Sequence, residues 1–179
     1  MSKGISDNSR LFADGMRKAS SLINDHLYAT LLDVATDYLS DMVRNKEYQG
    51  FTGNTQTSYS CGLYVNGKLA DVIVQRAFGR NPIRLKVRKD ERAFLKNPYE
   101  GKSRAVRGRV DVDSLYGAES AFDFLKSYKD VPRKGFAVVA TTGTEYSEYL
   151  ENVRHLNVMT GTWQSAKSIF ESHLKPMKE

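Results

Sequence analysis

Apolar side chains recur at steps of three and four along the first quarter of the chain, through Leu11, Phe12, Met16, Ala19, Leu22, Ile23, Leu27, Leu31, Val34, Ala35, Tyr38, Leu39, Met42 and Val43. That period gathers them into one stripe and predicts a single amphipathic helix from Asp7 to about Lys46. Asp7 or Asn8 is placed to cap it. Gly15 weakens it by about 1 kcal/mol relative to alanine, which predicts a bend or a late start. A helix of this length exceeds what a small sheet covers, so part of it is expected to lie against a neighbouring subunit.

The pattern then changes. Residues 48–58 are polar and turn-rich, a loop. The β-prone runs Tyr59–Val65 and Lys68–Gln75 flank Asn66-Gly67, a strong hairpin signal, because both central residues of a type I′ turn take positive φ. Ile83, Leu85 and Val87 alternate with Arg84, Lys86 and Arg88, the period of a strand with one wet, basic face. Ala105 to Val112 is expected to return as a second strand, completing an inserted basic hairpin. Ser114 to Tyr128 reads as a short helix capped by Ser114, with Leu115, Ala118, Phe122 and Leu125 inward. Phe136–Thr141 is a continuous apolar strand, expected at the centre of the sheet. Glu145–Val153 is a short helix or turn. A last helix, capped by Thr160 or Thr162, runs to Leu174 with Trp163, Ala166, Ile169, Phe170 and Leu174 inward. The order predicts an α+β fold: a small, mostly antiparallel sheet packed on a long N-terminal helix, with an inserted basic β-hairpin and a C-terminal helix. The 179 residues are read as one domain with a basic insertion at about 76–112.

Charge sharpens one segment. Between Arg76 and Arg109 there are twelve lysines and arginines against three acids, while the whole chain carries only +6, so the remainder is net acidic. Arg76, Arg80, Arg84, Lys86, Arg88, Lys89, Arg92, Arg104, Arg107 and Arg109 are the candidate contacts. They suit phosphate without sequence readout. They suit equally an acidic protein surface, including that of a second copy. Phe78, Phe94 and Tyr99 are not spaced as a stacking platform.

Candidate chemistry is sparse. His26, His155 and His173 stand far apart in the sequence, His26 near the apolar stripe and the other two at the expected surface. Asp111 and Asp113 share one face of a strand, a weak cation pattern beside the simpler reading of a solvated edge. Cys61 is the single cysteine, which excludes an intrachain disulfide and suits an inert buried thiol. No phosphate-binding or dinucleotide glycine pattern occurs. No catalytic, metal or cofactor site is expected. No apolar run approaches the roughly 20 residues of a membrane span, and the first residues carry no secretory signal pattern.

Two polar segments complete the picture. Gly50 to Ser58 contains Thr52-Gly53-Asn54, where Gly53 permits a left-handed backbone and Thr52, Asn54 and Ser58 can form side-chain-to-backbone turns. Gly143 to Glu151 contains Tyr146, Glu148, Tyr149 and Glu151, with the tyrosines expected to pack and Glu145, Glu148 and Glu151 left for a neighbour. In this order, with helix, strands and closing helix between them, these segments resemble the head–tail connector (tail-completion, or neck) proteins of lambda-like tailed bacteriophages. The chain departs from that family's pattern at Thr55, Gln56 and Asn152, and in the length of residues 76–130. The resemblance implies a virion structural protein at the head–tail junction, made and assembled in the host bacterial cytoplasm. It implies a six- or twelve-fold ring of this chain that contacts portal or adaptor ring proteins and a tail protein. The basic segment then faces either packaged DNA or the adjacent subunit, and no membrane is involved. The alternative from another class is a small, non-specific nucleic-acid-binding protein that uses residues 76–109. A hydrolase would need His26, His155 and a carboxylate brought together in space.

Overall fold

The computed structural model describes residues 3–48, 54–75, 83–86 and 117–174. Helix α1 spans Lys3–Asn45. It begins ahead of Asp7 and Asn8, so these residues lie within the helix and do not cap it, and Gly15 does not delay its start. The predicted loop contains a single helical turn, α2 (Asn54–Thr57). Strands β1 (Ser60–Val65) and β2 (Lys68–Val74) form the hairpin read from Asn66-Gly67, whose φ values are 51° and 77°. Both central residues are left-handed, as a type I′ turn requires, and it is asparagine and glycine that tolerate this backbone.

Strand β3 (Ile83–Lys86) follows, then α3 (Gly117–Ser127), β4 (Phe136–Thr141) and α4 (Tyr146–Asn152). The expected last helix is two pieces, α5 (Thr160–Gln164) and α6 (Ala166–His173), interrupted at Ser165. The second strand of the basic hairpin, with Asp111, Asp113, Ser114 and Leu115, lies outside the described residues.

The sheet order is β3-β2-β1-β4, and every pairing is antiparallel. The protein is therefore α+β. Two expectations change. The basic strand β3 joins the main sheet beside β2, and among the described residues β4 is an edge strand where the centre was expected. Its unbroken apolar run comes from cover on both faces, and all six of its residues are half-buried. The interior positions belong to β2 and β1, and Cys61 of β1 pairs with Ile73 on one side and Ala140 on the other.

Alternation along the strands feeds two cores. On one face Ala35, Leu39 and Met42 of α1 pack with Tyr59, Cys61 and Ile73. On the other, Phe122 and Leu125 of α3 pack with Val72 and Val74. Tyr64 crosses to α3 and donates from its hydroxyl to the Leu125 carbonyl at 2.6 Å. Burial pushes its hydroxyl up to about 12. Cys61 is fully buried, and burial raises its thiol out of the reactive range, as expected of an inert core cysteine.

Candidate interaction site

The two polar segments singled out in the sequence meet. Ser58 donates to the Thr55 carbonyl at 2.8 Å, closing the turn after α2. Its hydroxyl also lies 2.7 Å from that of Thr142, at the end of β4. Thr144 reaches Thr55 at 3.4 Å and hydrogen-bonds Ser147, which lies 3.2 Å from Thr142. A seam of hydroxyls thus joins α2 to the start of α4, with Thr55, Ser58, Thr144 and Ser147 all buried. Between them, Gly143 passes against α3 so closely that a β-carbon would stand 1.8 Å from the Gly117 carbonyl oxygen. Buried hydroxyls that satisfy one another are costly to expose and fix register more than they add net stability. Thr52 and Gly53 lie outside the described residues, and Asn54 and Tyr146 are described by their backbone alone.

The acidic row of the second segment divides. Glu148 is exposed, as expected, but Glu151 is engaged within the chain. Its carboxylate accepts from the backbone N–H groups of Val158 (3.2 Å), Met159 (2.9 Å) and Thr160 (2.8 Å). Those of Met159 and Thr160 are orphan donors at the start of α5, so Glu151 caps a helix that begins nine residues ahead of it, in place of Thr160 or Thr162. Burial alone raises its pKa. The hydrogen bonds from Thr160, Met159 and Val158 together outweigh burial and hold it below the ordinary glutamate value. Tyr149, expected to pack, is half exposed.

Among the basic candidates, Arg84 is also engaged at home. Its Nε and Nη2 donate to the two carboxylate oxygens of Asp71 at 2.9 and 2.8 Å. Asp71 has no exposed surface and also accepts the Tyr28 hydroxyl. The Arg84 guanidinium stands 5.6 Å over the Tyr28 ring. This planar, bidentate geometry is what arginine does best. It ties α1 to the β2–β3 edge. The side chain of Lys86 is not described, and Arg76, Arg80, Arg88, Lys89, Arg92, Arg104, Arg107 and Arg109 lie outside the described residues. Of the histidines, His173 meets Asp37 at 2.8 Å, joining α6 to α1, His155 is exposed in a left-handed turn at φ 53°, and His26 is half-buried on α1. Among the described residues, no three histidine, cysteine or acidic side chains cluster as a metal site, and no helix is long and apolar enough to cross a membrane.

The least satisfied surface is apolar. On the first half of α1, Leu11 is 68% and Phe12 72% exposed, and Met16, Leu22 and Ile23 are exposed with them. The stripe read from the sequence is real, but only its second half reaches the core. That second half forms one wall of an apolar groove of about 480 Å³, with Leu27, Leu31 and Val34 facing Phe136 and Val138 of β4 across it. Trp163, Ala166 and Phe170 make its far rim. Trp163 was expected inward and is 62% exposed, its ring edge-on to Tyr38 at 6.2 Å. The Tyr38 hydroxyl, at the base of the groove, has no hydrogen-bond partner among the described residues. Sequence periodicity located the stripe but not the groove, which depends on β4 lying at the sheet edge. No family model, curated protein or solved structure matches this chain.

Proposed function

We propose that this chain is a head–tail connector, or neck, protein of a tailed bacteriophage: a virion structural protein that assembles into a ring joining the portal side to the tail. The observation that carries the reading is the exposed apolar first half of α1, because a stripe of this size on a folded domain marks a protein–protein interface. The fold supports it too. A small antiparallel sheet on a long helix agrees with what the resemblance implies, and its two carrying segments converge on one seam. A closed ring needs a heterologous interface, with different patches on the two sides of each subunit. The apolar stripe supplies one such patch. The portal or adaptor ring, the tail protein and packaged DNA are the proposed neighbours, reached through the basic segment and the exposed face around Glu148 and Tyr149.

The test is deletion of the gene from its phage, followed by electron microscopy of the lysate. DNA-filled heads without tails, beside free tails or tail parts, are the expected result. Normal infectious particles would overturn the reading and favour the nucleic-acid-binding alternative. That alternative predicts DNA affinity in the isolated chain with a steep salt dependence.

A further inference from the structure

We infer that the apolar groove between α1, β4 and α6 is the seat for the first half of α1 from a second copy of this chain. The inference rests on the self-association in the reading above and does not depend on where in a particle that association occurs.

Four observations converge. The exposed residues Phe12, Met16, Ala19 and Ile23 recur at steps of four, three and four, so they form one helical ridge. That ridge is about 16 Å long at 1.5 Å per residue, and Leu27 to Tyr38, the groove wall, has the same rise. The α1 helix is unbroken from Lys3 to Asn45, and its own second half builds the wall. The first half therefore cannot fold back into the groove of its own chain, and a donor helix must come from another molecule. The charges then select which stretch of that molecule. Residues 8–24 of α1 carry three basic side chains and one acid, whereas residues 25–45 carry four acids and one base. Arg10 and Lys18 in the first half are exposed, as is Asp33 in the second, while the exposed Asp37 already meets His173. Donor on groove brings opposite charges together, and two first halves side by side would bring like charges together.

This seating is head-to-tail. A subunit that gives its helix to one neighbour still has its own groove open for the next, so the contact propagates and closes as a ring or continues as a filament.

Single-cysteine exchange in the full chain tests the seating. Met16→Cys places a thiol on the donor ridge, and Phe170→Cys places one on the groove rim. Cys61 is buried and supplies no background to a short bismaleimide cross-linker. Mixing the two variants is expected to give a covalent dimer, with neither variant cross-linking alone. Cross-linking of Met16→Cys to itself would overturn the inference in favour of symmetric helix pairing. Absence of any cross-link, together with a monomer at every concentration reached in sedimentation, would overturn it outright. Ile23→Asp, on an exposed position that does not support the core, is expected to abolish cross-linking of the mixed pair while leaving the helical circular dichroism and melting temperature unchanged. Retained cross-linking in that background would also count against the seating. Tailless heads in the deletion phage together with failed cross-linking would spare the neck reading and remove only this seat.

Discussion

Asp71 and Arg84 show how a residue offered for a partner can be consumed at home. The carboxylate is fully buried and leans on one half-exposed guanidinium and one tyrosine hydroxyl. Arg84→Ala leaves a buried charge with no counter-charge. Water reaches the arginine side of the pair, which tempers the cost to about 2–3 kcal/mol. Pairing Asp71→Asn with Arg84→Met should restore more than half of that loss in urea denaturation. A charge reversal at Arg84 would therefore damage the fold before it reported on any docking. Glu151 makes the same point with a helix cap. Its folded pKa lies below the unfolded one, so its contribution is present in full above the ordinary carboxylate range and disappears as pH falls through the folded value. Glu151→Gln should cost about 1 kcal/mol near neutral pH, and the gap to the parent should close in acid. A gap that stayed constant with pH would mean that the charge plays no part in the cap. Neither role was legible in the sequence, because each joins residues whose separation is set by the tertiary fold: thirteen positions across a sheet, and up to nine across a turn.

At the scale of elements, what was readable was what is local. The stripe of α1, the Asn66-Gly67 turn and the buried side of α3 follow from period and turn chemistry within a dozen residues. The position of β4 did not, since an apolar run looks the same in a central strand and in an edge strand covered from both faces. The break at Ser165 was equally silent, because Trp163 and Phe170 carry the same helical period whether or not the axis turns between them. The junction of β4 with α3 gives the sharpest element-level prediction. At Gly143 the obstacle to a side chain is backbone, the Gly117 carbonyl and the Ala121 nitrogen, and neither can swing aside like a flexible side chain. Gly143→Ala should cost about 3 kcal/mol or more and lower the melting temperature without changing the exposed surface of α1. A variant as stable as the parent would mean that α3 shifts as a body.

For the whole molecule, the features that matter are unequal cover and polarity. One end of α1 is locked to the sheet by the Tyr28, Asp71 and Arg84 cluster and to α6 by His173, while the other end carries its apolar ridge uncovered. At 1.5 Å per residue the 43 residues of the helix make a rod about 65 Å long. A rod of that length turns one small domain into a part with a reach and a socket. Length and stripe were both visible in the sequence. The socket was not, because its walls come from residues 27–38, 136–140 and 163–170, which only the fold assembles.

The order in which those walls arise on the ribosome has its own consequence. Strand β1 finds β2 within a few residues, but its other edge waits for β4, and the buried Tyr59 hydroxyl waits for the Val158 carbonyl it donates to at 2.8 Å. A nascent chain that has exposed its apolar rod for well over a hundred residues of synthesis thus has no socket to receive a neighbour's rod until Trp163 and Phe170 have emerged. Under the proposed seating, a receptacle that is completed late keeps unfinished chains from accepting one another.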